Sequence, residues 1–161
     1  METLSQDLLH ELFEYKDGNL YWKSKADKDG GLKKATGWIR RNYRNISVKN
    51  KSYAVHRLIY LYFYGYLPQE IDHIDGNPLN NLIENLRKAT HQENMLNKKI
   101  YKNNKSGYKG VCWHKASKKW RSQIYLAGKQ KVIGYFDCPK KAHSAYCENA
   151  KTLHKDYANF G

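Results

Sequence analysis

The chain has 161 residues, 29 Lys and Arg against 15 Asp and Glu, and a formal net charge of +14. That length holds one domain or two small ones near the size where burial alone is marginal, and the charge points to a polyanionic partner. Three cysteines without a CxxC pair argue against a disulfide framework or a zinc knuckle and fit a reducing cytoplasm. The start of the chain carries acidic residues and no apolar signal core, and Leu58 to Leu67 is too short to span a bilayer.

Leu4, Leu8, Leu9, Leu12 and Phe13 recur at helical spacing behind Thr3 or Ser5, which predicts a short capped amphipathic helix. Lys16-Asp17-Gly18-Asn19 turns the chain, and Leu20-Tyr21-Trp22 begins a strand. Lys23 to Ala35 is polar with Gly30-Gly31 and reads as a surface loop. Trp38 to Val48 interleaves Arg40, Arg41 and Arg44 with Trp38, Tyr43, Ile46 and Val48. This predicts a hairpin with one basic face, as consistent with simple solvation as with phosphate contact. His56-Arg57-Leu58-Ile59 opens a helix that runs through Tyr64 and ends at Gly65 and Pro68.

From Ile71 to Asn97 polar ligand types crowd together: Asp72, His73 and Asp75, then Asn77, Asn80, Asn81 and Asn85, then His91 and Asn94. Asp75-Gly76-Asn77-Pro78 is a strong turn signal. Ile71-Asp72-His73-Ile74 before it and Asn85-Leu86-Arg87-Lys88-Ala89 after it suit two short strands. Thr90-His91-Gln92-Glu93 has capping-box spacing, so Asn94 falls on the first turns of a helix. The unit reads strand, loop, strand, helix.

This pattern resembles the HNH nucleases and their ββα-metal site. The resemblance implies that His73 is the general base, Asp72 a metal ligand, Asn85 the residue that positions the imidazole, and Asn94 the third motif position and second metal ligand. Asn94 makes an H-N-N variant, as in some phage-encoded homing endonucleases. Carboxylate and amide oxygens favour a hard divalent metal ion, magnesium or manganese, over zinc. His56 and Arg57 are secondary candidates, Arg57 as a phosphate donor.

The positive charge gathers in the second part, where residues 98–161 carry 15 Lys and Arg against 3 Asp and Glu. Lys98 to Ser106 reads as a basic linker. Gly107 to His114, Lys119 to Leu126 and Lys131 to Phe136 predict three strands, and Lys140 to about Lys155 a helix with an Ala142-Ala145-Tyr146-Ala150-Leu153 stripe. Tyr-Lys-Gly-Val, Lys-Trp-Arg-Ser-Gln-Ile, Ile-Gly-Tyr-Phe-Asp and Ala-His-Ser-Ala-Tyr look like the ethylene-response-factor-type DNA-binding domain. That second resemblance implies contact residues at or beside Lys109, Trp113, Lys115, Trp120, Arg121 and Gln123, with Lys129 and Lys131 as added phosphate contacts. Cys112 and His114 depart from the family's arginines.

The sequence therefore predicts an α+β chain: an HNH nuclease unit over residues 1–97, a linker over 98–106, and a sheet-plus-helix DNA-binding domain over 107–161. The expected activity is metal-dependent hydrolysis of double-stranded DNA, as a nick, by a monomer in the cytoplasm of a bacterial or phage-infected cell. A non-catalytic DNA-binding regulator with a relic HNH fold is the alternative, and an RNA-binding protein is weaker still.

Overall fold

A computed structural model describes residues 4–98, 100, 103–126, 128–154 and 157–160. The chain is α+β and divides into two compact units, with the boundary at Ala89 and Thr90. Lys99, Tyr101 and Lys102 of the expected linker, and Lys155 at the expected helix end, lie outside the described residues.

In the first unit, α1 (Gln6–Leu12) starts at Ser5, whose side chain accepts from the Leu8 N–H. Phe13, expected on the helix, instead opens strand β1 (Phe13–Lys16), which pairs antiparallel with β2 (Asn19–Ala26). Their two-residue turn puts Asp17 and Gly18 at φ 48° and 72°, the geometry that matches strand twist. The expected loop over Lys23 to Ala35 is largely strand: β2 runs on to Ala26, and β3 (Leu32–Lys34) pairs back onto it. The alternation is too polar to signal this, and only the β2 backbone supplies the missing partner.

Strands β4 (Trp38–Arg40), β5 (Tyr43–Val48) and β6 (Lys51–Ala54) form a second sheet in chain order. Helix α2 (Val55–Tyr64) follows without a side-chain cap and ends at Gly65, whose φ of 72° lets its N–H reach the Leu61 carbonyl. Leu9, Phe13, Leu20, Leu58 and Ile59 are fully buried and join α1, the first sheet and α2 in one core. Burying each such side chain stabilises by about 1.5–3 kcal/mol. Ile71 and Leu86 anchor the last ribbon, β7 (Glu70–His73) with β8 (Leu86–Ala89), to the same core.

The second unit opens with α3 (His91–Leu96). Here Thr90 and Glu93 form the expected reciprocal capping box. A three-stranded antiparallel sheet follows in the order β11 (Lys129–Phe136), β10 (Lys119–Leu126), β9 (Val111–His114). Helix α4 (Pro139–His154) packs Tyr146 and Ala150 against Ile124. Gly110 is required where it stands: a Cβ there would lie 2.1 Å from the Tyr146 ring. Among the described residues no helix is long and apolar enough to cross a membrane.

Candidate active site

Asp72 and His73 end β7, where the ribbon gives way to the Asp75–Asn85 loop. Consecutive strand residues face opposite sides, so each of the two meets a different environment. Asp72 stands directly opposite Arg87 in the β7–β8 register. Arg87 Nε and Nη2 both donate to Asp72 Oδ2, at 2.8 and 2.7 Å, and the carboxylate side chain is 4% exposed. This pair was not anticipated from sequence, because it depends on register rather than spacing.

His73 lies on the side of Ile71 and α2 and is buried. Its Nε2 is 3.1 Å from Oδ1 of Asn81, itself buried. The ring of His56, from the first turn of α2, meets it edge-on at 5.2 Å between centroids, and the Tyr43 ring lies at 6.0 Å from His73 and 4.9 Å from His56. Burial, then the neighbouring His73 and Arg57, push the His56 pKa down to about 3. His56 is thus held neutral: it faces His73 as expected, but as a packing ring with little basicity. Tyr43 was not singled out as a site residue. Burial, with Asp72 and Glu70 adding negative potential, raises its phenol pKa. Arg57 is half-buried beside His56.

The loop is cross-tied by its own side chains. Asn85 Nδ2 donates to Asp75 Oδ1 at 3.0 Å and to the Asn80 carbonyl at 2.8 Å, and Asn85 Oδ1 accepts from the Asp75 N–H at 3.0 Å. Asp75 also accepts from the Asn77 N–H and from Asn80 Nδ2. Burial alone would raise the Asp75 pKa, but these hydrogen bonds outweigh it and lower it. Asn85 thus bears on the imidazole through the loop: it fixes the loop, and the loop presents Asn81 to His73. The signal for Asn81 was the Asn80-Asn81 doublet, whose second member has no role in turn chemistry.

The first hairpin supports this loop from below. Tyr15 Oη accepts from the Ile83 N–H at 3.1 Å. A Cβ on Gly18 would stand 2.9 Å from Leu82 N and 3.0 Å from the Asn81 carbonyl carbon, so only glycine lets the turn come this close. Asn94 lies on α3 in the second unit, where its N–H donates to the Thr90 carbonyl at 3.0 Å.

Among the described residues no three His, Cys, Asp or Glu side chains gather as a metal cage. The donor chemistry at the end of β7 is one oriented carboxylate beside an imidazole. That fits a hard divalent ion that keeps most of its shell as water and substrate phosphate oxygens.

The second-unit candidates separate by register. Arg121, Gln123 and exposed Tyr125 share one face of β10, with Tyr135 and Val132 opposite them on β11. Ser122 and Ile124 face α4 and are buried. Arg121 Nη2 lies 3.5 Å from Cys112 Sγ, and the buried Nε has no hydrogen-bond partner. Cys112 Sγ lies 3.7 Å from Gln123 Oε1. Trp113 pairs with Trp120, on the Ser122 and Ile124 side of the sheet, away from Arg121. Its ring meets Trp120 edge-on at 5.1 Å. Lys131 pairs with Ile124 and Lys129 with Leu126, because Ile133 bulges out of the ladder and shifts the register by one. Both lysines are exposed, as is Lys115 in the β9–β10 turn.

Lys109 is also redirected. Its ammonium donates to the Leu96 and Lys98 carbonyls at 2.7 and 2.6 Å, completing the C-terminal end of α3. Burial pulls its pKa down to about 8. It is committed to backbone oxygens rather than to a phosphate.

Comparison with known proteins agrees with this geometry. The HNH endonuclease family model matches residues 53–96, from the end of β6 through α3. The chain thus carries an HNH endonuclease domain, and its relatives are phage and viral proteins. It is 41% identical over 90 residues to Protein 3.8 of Escherichia phage T7, covering 56% of this chain and 74% of that protein. It is 36% identical over 106 residues to an uncharacterized HNH endonuclease of Acanthamoeba polyphaga mimivirus, covering 54% of this chain and 57% of the relative. An SPbeta prophage-derived protein of Bacillus subtilis (strain 168), named for HNH homing endonuclease activity, is 39% identical over 62 residues, or 37% of this chain and 36% of its own. The last two matches thus leave much of each relative uncovered. No solved structure matches.

Proposed function

We propose that the chain is a divalent-cation-dependent endonuclease of double-stranded DNA, of the homing kind that the prophage relative's name describes. The observation that carries the reading is the buried His73, fixed by Asn81 one residue from the Arg87-oriented Asp72, inside the family-matched segment. His73 accepts a proton from water, and the resulting hydroxide attacks phosphorus and displaces the 3′-oxygen. Asn81 orients the ring and fixes which nitrogen carries the proton. Arg57 donates to the phosphate. Asp72 would hold a magnesium or manganese ion. When bound, such an ion offsets charge on the phosphate.

Residues 107–161 are the DNA-gripping module of the ethylene-response-factor type, joined through residues 98–106. The Arg121 and Gln123 face is its reading face, since both side chains suit purine edges. Lys115, in the β9–β10 turn, adds a phosphate contact, and Lys129 and Lys131, which the bulge turns to the other face of the sheet, would reach phosphates only past its edge.

Supercoiled plasmid incubated with the full chain and magnesium or manganese is expected to give nicked circles before any linear form, as one site per monomer requires. EDTA should abolish cleavage. Intact plasmid under every cation condition overturns the reading.

Asn81→Leu, close in volume but lacking the acceptor, is expected to lower the single-turnover cleavage rate by about tenfold or more, the usual cost of losing an orienting partner. DNA affinity and the circular dichroism spectrum should stay unchanged. Asn81→Asp, which keeps an oxygen, should retain most of the rate. An Asn81→Leu rate equal to wild type removes Asn81 from the site.

A further inference from the structure

The first unit carries a segregated charge of which the active site uses only Arg57. Residues 30–69 hold eight Lys and Arg and no Asp or Glu, a local charge of +8. The rest of residues 1–89 holds six Lys and Arg against eleven Asp and Glu, or −5. The near-neutral total of this unit therefore hides a basic band against an acidic remainder.

The β4–β5 hairpin is the most exposed part of that band. Every residue of β4 is exposed, with Trp38 at 44% and Ile39 at 57%. Register sorts its side chains. Arg40 pairs with Tyr43 and Trp38 with Asn45, so these four share one face, while Ile39 and Arg44 share the other. Arg44 is already engaged, donating to the Thr36 carbonyl at 2.7 Å. Arg40 and Arg41 make no ion pair or side-chain hydrogen bond among the described residues. Tyr43 is the residue whose ring reaches His56 and His73. The Arg40 face is thus one cross-strand step from the catalytic imidazole.

The hairpin tip breaks a local rule. Arg41 and Asn42 sit at φ 50° and 69°, a turn that favours Asn, Asp or Gly at both positions. A long side chain in the left-handed region costs backbone energy, and nothing in the fold uses the Arg41 guanidinium in return.

We propose that the Arg40, Arg41 and Trp38 side of the β4–β5 hairpin is a second DNA-contact surface, gripping the sugar-phosphate backbone of the duplex beside the scissile phosphate. This rests on the nuclease reading above and gives the cutting unit a grip of its own, separate from that of residues 107–161. The two guanidiniums neutralise backbone phosphates, and the exposed indole covers the sugars between them. The charge is complementary, and the surface is continuous with the active site through Tyr43.

The test uses the full chain and a random-sequence duplex DNA probe, with affinity followed by fluorescence anisotropy over a salt series. Arg40→Gln with Arg41→Gln should weaken binding and make the log–log salt slope shallower by about 1 per lost phosphate contact, roughly 2 in total. Arg44→Gln, on the other face, should leave the slope unchanged, and all variants should keep the wild-type thermal transition. A double variant with an unaltered slope overturns the proposal, as does an Arg44→Gln variant with the same loss, which would mean bulk charge alone. Wild-type protein that cleaves while the double variant binds normally sinks only this surface. Wild-type protein that neither binds nor cleaves duplex DNA sinks the nuclease reading with it.

Discussion

His73→Ala is expected to lower the single-turnover rate of DNA cleavage by about 10²-fold or more, the usual contribution of a general base, while leaving affinity for duplex DNA unchanged. The imidazole is buried, touched at Nε2 by Asn81, and flanked by the rings of His56 and Tyr43. No nearby group can take over its proton. His56 is the nearest candidate, but burial first, then the neighbouring His73 and Arg57, push its pKa down to about 3, so as a base at neutral pH it is weak. Asp72 is committed through Oδ2 to Arg87. A His73→Ala protein that binds the probe normally but cuts within a few-fold of wild type would remove His73 from the mechanism.

What was legible in the sequence follows from which interactions are local. The Asp17-Gly18 turn, the Thr90–Glu93 capping box, the Gly65 stop and the three strands with one helix in residues 107–161 are each specified by neighbours a few residues apart. The Asp75–Asn85 loop was also visible, because Asn, Asp, Gly and Pro serve turns by their own backbone chemistry. What escaped depends on partners distant in sequence. Phe13 closes a helical stripe by spacing, yet it becomes a strand residue because Trp22 stands opposite it. Leu32–Lys34 carries no strand pattern and is made a strand by β2. Lys109 stands at or beside a DNA-contact position by resemblance, whereas its ammonium donates to the carbonyls of Leu96 and Lys98. A single bulge at Ile133 changes the face to which Lys129 and Lys131 belong, and bulges leave no reliable mark in composition.

The catalytic ribbon shows the same division. Asp72 and His73 were found by motif, but the residues that hold them, Arg87 and Asn81, come from register and from a folded loop. A family motif names the reacting groups, while their supports follow from packing that one sequence does not display.

Arg87 therefore carries the second large expected effect, on stability as well as activity. Arg87→Ala would leave the Asp72 carboxylate, whose side chain is 4% exposed, without the cation that faces it across the ribbon. Breaking a buried pair from one side costs about 3–5 kcal/mol, because the remaining charge stays buried without its counter-ion. For a protein whose total stability is of order 5–15 kcal/mol this is a large share. It should lower the thermal midpoint of the first unit by roughly 12 °C or more. Asp72→Asn makes the opposite cut. The amide oxygen still accepts from Arg87, and the Arg87 side chain, 17% exposed, keeps a route to water, so the melting temperature should fall much less. Cleavage should nonetheless be lost, since an amide replaces the carboxylate proposed to hold the cation. Asp72→Leu with Arg87→Met, which removes both charges and keeps apolar volume, should recover most of the stability and none of the activity. Thermal melts followed by circular dichroism, paired with plasmid cleavage on the same samples, separate the two roles. If Arg87→Ala melts with wild type, the carboxylate does not depend on this pair, and Arg87 has to be assigned to the substrate instead.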